Sequence, residues 1–188
     1  MASTADIRNG LVIRFNHDLY SVTEFLHVKP GKGAAFVRTK LKSLTNGRVL
    51  DNTFPSGAKL ETVRVERRKY QYLYPEGDGF IFMNTESFEQ VTIPQHQIEA
   101  HEFLQEGMEC EVMINADDEA ILTVDLPNFV IMTVTYTEPG LKGDTATNTL
   151  KPATVDDVAE IRVPLFVDTG DKVRIDTRTK QYVERVKE

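Results

Sequence analysis

A lysine at the tip of a glycine-rich turn is the residue with the clearest potential for chemistry. Lys32 lies within Lys29-Pro30-Gly31-Lys32-Gly33, between two segments with strand-like alternation. Proline fixes φ at about −65°, and we expect Gly31 to supply the positive φ of a type II turn. This composition predicts a thin backbone that holds one long cation where it could enter a narrow cleft. An ordinary solvated turn is the alternative, because Pro-Gly-Lys-Gly is common turn chemistry.

Three further cations follow this turn at every second position. Arg38, Lys40 and Lys42 lie on the predicted strand that returns from the tip. Successive side chains of a strand point to opposite faces, so we expect these three on one face. Such a basic face suits contacts with nucleic-acid phosphates.

Charge is unevenly distributed along the 188 residues, whose net charge is −7. Residues 1–65 contain 10 basic and 5 acidic side chains, residues 66–130 contain 3 and 14, and residues 131–188 contain 9 and 10. The basic first segment suits phosphate contacts, whereas the acidic middle segment would repel RNA. The asymmetry indicates separate surfaces with separate partners, unless composition merely fluctuates over short segments.

The second candidate binding element is a turn-rich loop late in the chain. Small hydroxyl and amide side chains beside glycines offer hydrogen bonds to a nucleic-acid backbone or a base edge. Small OB-like barrels bind nucleic acid with such loops. A plain surface loop is the alternative. The loop consists of Gly143, Asp144, Thr145, Ala146, Thr147 and Asn148.

The residue types of an enzyme active site occur in no recognised arrangement. The sequence has no Gly-x-Ser-x-Gly elbow, Walker loop or Gly-x-Gly-x-x-Gly motif. His96 and His101 are five residues apart, which is not the same-face spacing of a helical metal pair. Residues 117–119 lack the calcium-loop pattern and indicate a solvated hairpin tip, and Cys110 is predicted to be a buried, inert thiol. We therefore expect no enzymatic activity, no metal and no cofactor.

Short strands with period-two alternation must position these residues. We predict one helical stretch over residues 97–104, closed by Gly107. Asn46-Gly47 predicts a type I′ hairpin, and residues 75–79 predict a five-residue hairpin loop. The predicted strands are residues 11–15, 20–28, 35–41, 59–65, 70–74, 80–83, 88–93, 109–114, 120–124, 129–136, 161–167, 172–176 and 181–186.

The predicted strands form three blocks, with divisions near residues 65 and 130. This strand density predicts small barrels or sandwiches that abut. The single cysteine precludes an intramolecular disulfide framework. No segment approaches the roughly 20 apolar residues of a membrane span, and the amino-terminal residues lack the features of a secretory signal. We therefore expect a soluble cytoplasmic protein.

Three motifs, taken together and in order, resemble the bacterial elongation factor P family over essentially the whole chain. They are residues 29–37 (Lys-Pro-Gly-Lys-Gly-Ala-Ala-Phe-Val), residues 136–147, and a C-terminal signature that runs from 151–154 through 163–166 to 176–179. The resemblance implies an all-β chain of three small barrels in an L-shaped, tRNA-like outline. An SH3-like (KOW-like) domain would span residues 1–65, and two OB domains would span 66–129 and 130–188.

The resemblance also implies a function. Family members bind the ribosome between the peptidyl-tRNA and exit sites and promote peptide-bond formation at consecutive prolines. Lys32 would contact the CCA end of peptidyl-tRNA, and the loop of residues 143–148 would lie near the exit-site codon of the mRNA. Tyr182 and Arg185 match a C-terminal contact of the family. The position of Lys32 carries a covalent extension in much of the family, so a modifying enzyme is an expected partner of a monomeric protein.

Two positions depart from the family pattern, which usually has glycine where this chain has Val158 and Lys180. Both positions lie in the third block, so they concern the geometry of local turns there and not the tip loop. An elongation factor P-like paralogue has a similar length and fold. Lys32 and the intact motif of residues 143–147 favour the main branch.

Three other assignments are weighed against this one. A free module that binds single-stranded RNA would interleave aromatic and basic residues, but the aromatic run Tyr70, Tyr72 and Tyr74 lies in the acidic block. A small hydrolase would need a catalytic constellation that the sequence does not offer. The related initiation factor of archaea and eukaryotes has only two such domains, so the third block argues against it.

Overall fold

The computed structural model describes residues 2–140 and 149–187, which form sixteen strands and three short 3-10 helices. The 3-10 helices are Thr4–Asp6, Gln95–Gln97 and His101–Phe103. None of the helices in these ranges is long and apolar enough to cross a membrane. The strands are β1 (Ala2–Ser3), β2 (Val12–Phe15), β3 (Asp18–Val28), β4 (Phe36–Ser43), β5 (Val49–Pro55), β6 (Lys59–Thr62), β7 (Val65–Glu76), β8 (Gly79–Asn84), β9 (Gln90–Pro94), β10 (Glu109–Asn115), β11 (Ile121–Asp125), β12 (Phe129–Thr137), β13 (Leu150–Val155), β14 (Ala159–Pro164), β15 (Lys172–Asp176) and β16 (Gln181–Val186).

The first sheet has the strand order β1-β6-β2-β3-β4-β5 and encloses its own apolar core. Alternation in β4 places Val37 and Leu41 in this core and turns the intervening charged side chains outward. A bulge interrupts the pairing of β3 with β4 between Val22 and Glu24. Beyond the bulge, residues 23–27 of β3 are all exposed. We call this end of the β3–β4 hairpin, together with its connecting loop, the arm; β5 stays paired with β4 along it as far as Phe36 and Pro55.

The second and third sheets share one topology. The second sheet has the order β11-β10-β7-β8-β9. Its central strand, β7, comes first in the chain; β8 and β9 follow on one side of it, and β10 and β11 lie on the other side. The order β14-β13-β12-β15-β16 repeats this arrangement around β12. In the third sheet the outer strands β14 and β16 also approach each other, as in a barrel. The OB topology expected for both sheets is therefore present.

The predicted helix over residues 97–104 is wrong. Two separate 3-10 turns occur there, because Ala100 adopts a left-handed conformation with φ of 59°. Ile98 is buried in the core of the second sheet, whereas Ala100 and Phe103 are buried in the core of the third. One continuous helix would present these apolar side chains along one stripe, but here they enter two different cores.

Three local predictions also need correction. The turn at Asn46-Gly47 is not type I′, because only Gly47 has positive φ, and Gly47 N–H donates to the Ser43 carbonyl at 3.0 Å. The loop expected over residues 75–79 is shorter, because Glu76 already pairs with Gly79. Strand β13 was not predicted, since Pro152 lies within it and proline weakens a strand pattern.

Candidate functional site

The tip loop joins β3 to β4 beyond the pair Val28 and Phe36. Positive φ occurs at Gly33 (111°) and not at Gly31, so the predicted type II geometry at Gly31 is wrong. The glycine that the loop requires is therefore the one after the lysine. Residues 29–34 are all exposed, so the lysine stands on a thin loop at the end of the arm.

Lys32 forms no ion pair or hydrogen bond with any residue that the structure describes, and the same is true of Lys29. An ammonium group without a carboxylate partner retains its full charge for an external acceptor. The loop thus presents two free cations, one at its tip and one at its base. This is the geometry that the sequence predicted for Lys32.

The predicted basic face is present in geometry but partly neutralised. Arg38, Lys40 and Lys42 share one face of β4, because Thr39 and Leu41 between them are buried. Their carboxylate partners decide how much of that charge remains. Lys40 pairs with Glu24 at 3.0 Å, and Lys42 pairs with Glu99 of the second sheet at 2.8 Å.

Arg38 has no carboxylate partner among residues 2–140 and 149–187, and its guanidinium lies 5.5 Å from the ring centroid of Phe36. The hydrogen bond and the charge of Glu24 raise the pKa of Lys40 above its ordinary value. The free positive charge of the arm is therefore concentrated at Lys29, Lys32 and Arg38. Sequence alternation identified the face, but it could not identify which cations were already paired.

An apolar groove beside the arm was not identified from the sequence. Phe25 and Leu26 are exposed on β3, and Leu26 is 58% exposed. They line a groove of about 430 Å³ together with Arg38 and Lys40. The signal was available, because β3 is apolar at the consecutive positions Phe25 and Leu26 beyond the bulge, which cannot both face one core.

The loop predicted near the exit-site codon, Gly143, Asp144, Thr145, Ala146, Thr147 and Asn148, lies outside the described residues. Contacts among the residues on either side of it are described. Lys151 is buried and donates from Nζ to the Glu138 carbonyl at 2.7 Å. Thr137 donates from Oγ1 to the Pro152 carbonyl at 2.9 Å. The buried lysine ties the two ends of the loop together, and sequence reasoning missed it because lysine is rarely buried.

Gly140, on the first flank, lies so close to the backbone of Leu165 that a side chain would not fit. A Cβ built at this position would lie 2.7 Å from the Leu165 carbonyl oxygen. We expect Gly140→Ala to lower the free energy of unfolding by about 1–3 kcal/mol, because the backbone must shift to relieve this overlap. Urea denaturation measures the change.

Gly31→Ala is the matched control for that substitution. Nothing lies within 4 Å of a Cβ at Gly31, and its φ is not positive. Its free energy of unfolding should change by less than about 1 kcal/mol. Equal stabilities of the two variants would show that the contact at Gly140 carries no constraint.

The two C-terminal candidates have different environments. The Arg185 guanidinium donates to Asp171 at 3.3 Å and lies 5.4 Å from the ring centroid of exposed Phe166. Tyr182 is half-buried against the core of the third sheet, and this burial raises the pKa of its phenol. Arg185 and Phe166 therefore form an exposed surface, whereas the Tyr182 ring also serves the core.

The two departures from the family pattern differ in consequence. Lys180 has φ of 58°, a left-handed conformation in which glycine is favoured. Val158 is exposed and its φ is not positive, so a side chain there meets no backbone strain. Positive φ falls instead on the two preceding residues, Asp156 and Asp157.

The features weighed for other functions have structural roles. Tyr70 and Tyr72 are buried in the core of the second sheet and offer no stacking surface to RNA bases, which leaves Tyr74, 47% exposed, as the accessible ring of this run. Glu119 accepts two hydrogen bonds from the Arg68 guanidinium, at 2.6 and 2.9 Å. Within residues 2–140 and 149–187, no group of three His, Cys, Asp or Glu side chains could hold a metal ion.

Cys110 is buried in the second core, as predicted. Burial, together with the nearby carboxylates of Asp125 and Glu109, raises its pKa to about 12. We expect alkylation by iodoacetamide at pH 8 to be at least about a thousandfold slower in the native protein than in guanidinium-unfolded protein, because only the thiolate reacts. Intact mass followed over time measures this, and rapid labelling of the native protein would contradict it.

Three family models match the chain in order. They are described as the elongation factor P KOW-like domain (residues 3–60), the elongation factor P OB domain (residues 65–123) and elongation factor P, C-terminal (residues 130–185). A solved structure of "Eukaryotic translation initiation factor 5A from Methanococcus jannaschii" covers 65% of this chain and 92% of its own, with a TM-score of 0.52 and 23% identity. At that identity the likeness shows the fold alone.

Curated relatives match over the whole length. "Elongation factor P" of Flavobacterium johnsoniae is 58% identical over 188 residues, with all of both chains covered. "Elongation factor P 1" of Porphyromonas gingivalis and "Elongation factor P" of Bacteroides fragilis are each 57% identical, again with all of both chains covered. With full-length relatives at this identity, and with the all-β fold and the tip loop described above, the chain belongs to the elongation factor P family, as its three motifs predicted.

Proposed function

We propose that this chain is a translation elongation factor that binds the ribosome between the peptidyl-tRNA and exit sites and stimulates peptide-bond formation at consecutive prolines. The observation that carries the proposal is the free Lys32 ammonium at the end of an exposed arm, in a chain of the elongation factor P family. The exposed loop of residues 29–34, beyond the last strand pairs, is thin enough to enter a cleft between RNA and protein. Its tip carries the charge that an RNA backbone attracts.

The mechanism is catalysis by positioning. Proline is a poor peptidyl donor and a poor acceptor in peptide-bond formation. A displaced end of the peptidyl-tRNA slows the reaction further. Hydrogen bonds from Lys32 to phosphate or sugar oxygens of the CCA end would hold the ester in reacting geometry, which lowers the entropic part of the barrier. A hundredfold rescue needs about 2.7 kcal/mol, which a few charge-assisted hydrogen bonds can supply. No acid–base step by the factor is required, so we propose that it is not itself an enzyme.

The remaining partners follow from the same placement. The flanks tied by Lys151 would support the loop of residues 143–148 near the exit-site codon of the mRNA. Arg185 beside Phe166 offers a cation and an apolar ring to the ribosome–tRNA environment. The exposure of Lys32 also suits covalent extension by a modifying enzyme, which would lengthen the reach of the tip. We propose that the protein acts in the cytoplasm as a monomer.

The test is the rate of Pro-Pro bond formation on purified ribosomes, with and without this protein. We expect stimulation of at least tenfold, and little change for an ordinary dipeptide such as Phe-Phe. Protein made without a modifying enzyme and protein from the native host are compared, with the intact mass of each recorded. If neither form stimulates Pro-Pro synthesis, the proposed function is wrong.

A further inference from the structure

Residues 99–105 of the second domain, here called the junction segment, contact both neighbouring domains. The Glu99 carboxylate accepts a hydrogen bond from Lys42 of the first domain at 2.8 Å. Phe103 is buried in the core of the third domain, as is Ala100. Gln105 donates from Nε2 to the Ile131 carbonyl of the third domain at 2.9 Å. The segment therefore connects the domain that carries the tip with the domain that carries the late loop.

A second ion pair of the junction segment crosses the boundary with the third domain. Lys180 of the third domain donates from Nζ to Glu102 Oε1. The Glu102 side chain is only 24% exposed, and its other carboxylate oxygen is buried without a hydrogen bond to any described residue. The His101 ring nitrogen Nδ1 lies 3.7 Å from that oxygen. A carboxylate held out of water in this way depends strongly on its one close cation.

The backbone conformation of Lys180 supports a role for its ion pair with Glu102. Its φ of 58° is disfavoured for residues with a β-carbon, and glycine would adopt it without strain. Lys180 lies between β15 and β16, in the turn that faces the second domain. This chain has lysine at the strained position, and the lysine ammonium group reaches Glu102. The strained lysine is explained if its ammonium group has a role across the boundary.

Apolar and ionic contacts at this boundary contribute differently. Burial of Phe103 is non-directional, so it holds the domains together but restricts their angle only loosely. A charge-assisted hydrogen bond is directional and strong only over a narrow range of distance. Directional contacts that cross this boundary include the hydrogen bond from Gln105 to the Ile131 carbonyl and the ion pair of Lys180 with Glu102. Of these two, the ion pair is the charge-assisted one, so it can select among the orientations that the apolar contact permits.

We propose that Glu102 and Lys180 are positioning residues, whose ion pair fixes the orientation of the third domain on the second and so limits where the third domain lies relative to the tip. The functional part of this proposal rests on the proposed function. The geometric part stands independently of it. Loosening the pair should leave the tip chemistry intact but widen the range of domain orientations.

The geometric test measures the distance between spin labels in the full chain. Labels are placed at S87C in the second domain and E160C in the third, both exposed positions, while buried Cys110 stays unlabelled. We expect a narrow distance distribution for the parent and for K180R. K180Q, K180G and E102Q should each widen it at least twofold.

R174Q is the matched control, because Arg174 pairs with Glu184 at 3.0 Å inside the third domain. It removes an ion pair without touching the boundary, so its distribution should equal that of the parent. K180G distinguishes loss of the ammonium group from relief of backbone strain. It removes the cation, as K180Q does, but it also allows the left-handed φ without strain. Parent-like distributions for K180Q and E102Q would overturn the proposal.

The functional test measures Pro-Pro synthesis at varied protein concentration. We expect K180Q and E102Q to raise the half-maximal concentration about three- to tenfold at an unchanged maximal rate, because a looser protein must be ordered on binding. K180R should restore the parent value. A lower maximal rate, or no change despite widened distances, would overturn the positioning role. An inactive parent would refute only the proposed function, since the distance measurement stands without it.

Discussion

Lys32→Ala is expected to lower the stimulation of Pro-Pro bond formation at least tenfold, toward the rate without factor. The substitution removes the cation at the end of the arm and every hydrogen bond it could donate. Loss of one charge-assisted hydrogen bond costs about 1.5–3 kcal/mol, which corresponds to roughly ten- to a hundredfold in rate. The measurement is the rate of dipeptide formation at saturating protein.

Lys29→Ala is the control for this substitution. It removes the same charge from the same exposed loop but not from the tip, so a loss of less than about threefold is expected. Neither lysine has an ion pair or hydrogen bond with the described residues, so both variants should unfold at the same temperature as the parent. Full stimulation by Lys32→Ala would exclude the tip from the mechanism.

Phe103→Ala is expected to lower the free energy of unfolding by about 3–5 kcal/mol, the usual cost of emptying a buried phenylalanine site. Phe103 is 1% exposed and belongs by sequence to the second domain, but it is buried in the core of the third. The cavity would therefore weaken the contact between these domains as well as the third core. Guanidinium denaturation, followed by circular dichroism, measures the loss.

Phe88→Ala provides the comparison within the same domain. Phe88 is 69% exposed on the turn before β9, so its removal should change stability by less than about 0.5 kcal/mol. We also expect the spin-label distances between the second and third domains to widen in Phe103→Ala and not in Phe88→Ala. A Phe103→Ala protein with parental stability would contradict the shared core.

Local alternation determined much of the strand structure and of the tip. Strands β15 and β16 occur over the predicted ranges 172–176 and 181–186. In β15 the alternate residues Val173 and Ile175 enter the third core, whereas β16 is mostly exposed and packs Tyr182 against that core. The same alternation placed Cys110 inside and the cations of β4 on one face. Composition alone marked Lys32 as a cation on a thin loop. These features depend on neighbours in the chain, which a sequence displays directly.

Tertiary structure decided the features that depend on distant partners. Lys42 is neutralised by Glu99, 57 residues later, and Glu102 meets Lys180, 78 residues later. The predicted helix over residues 97–104 failed for the same reason, since its apolar residues are divided between two cores. The sequence by itself determined most of the strands, the all-β class and the tip lysine, but not strands β1, β5 and β13. Only packing between domains decided which charges remain free and how the domains are joined, because those free energies arise between residues far apart in the chain.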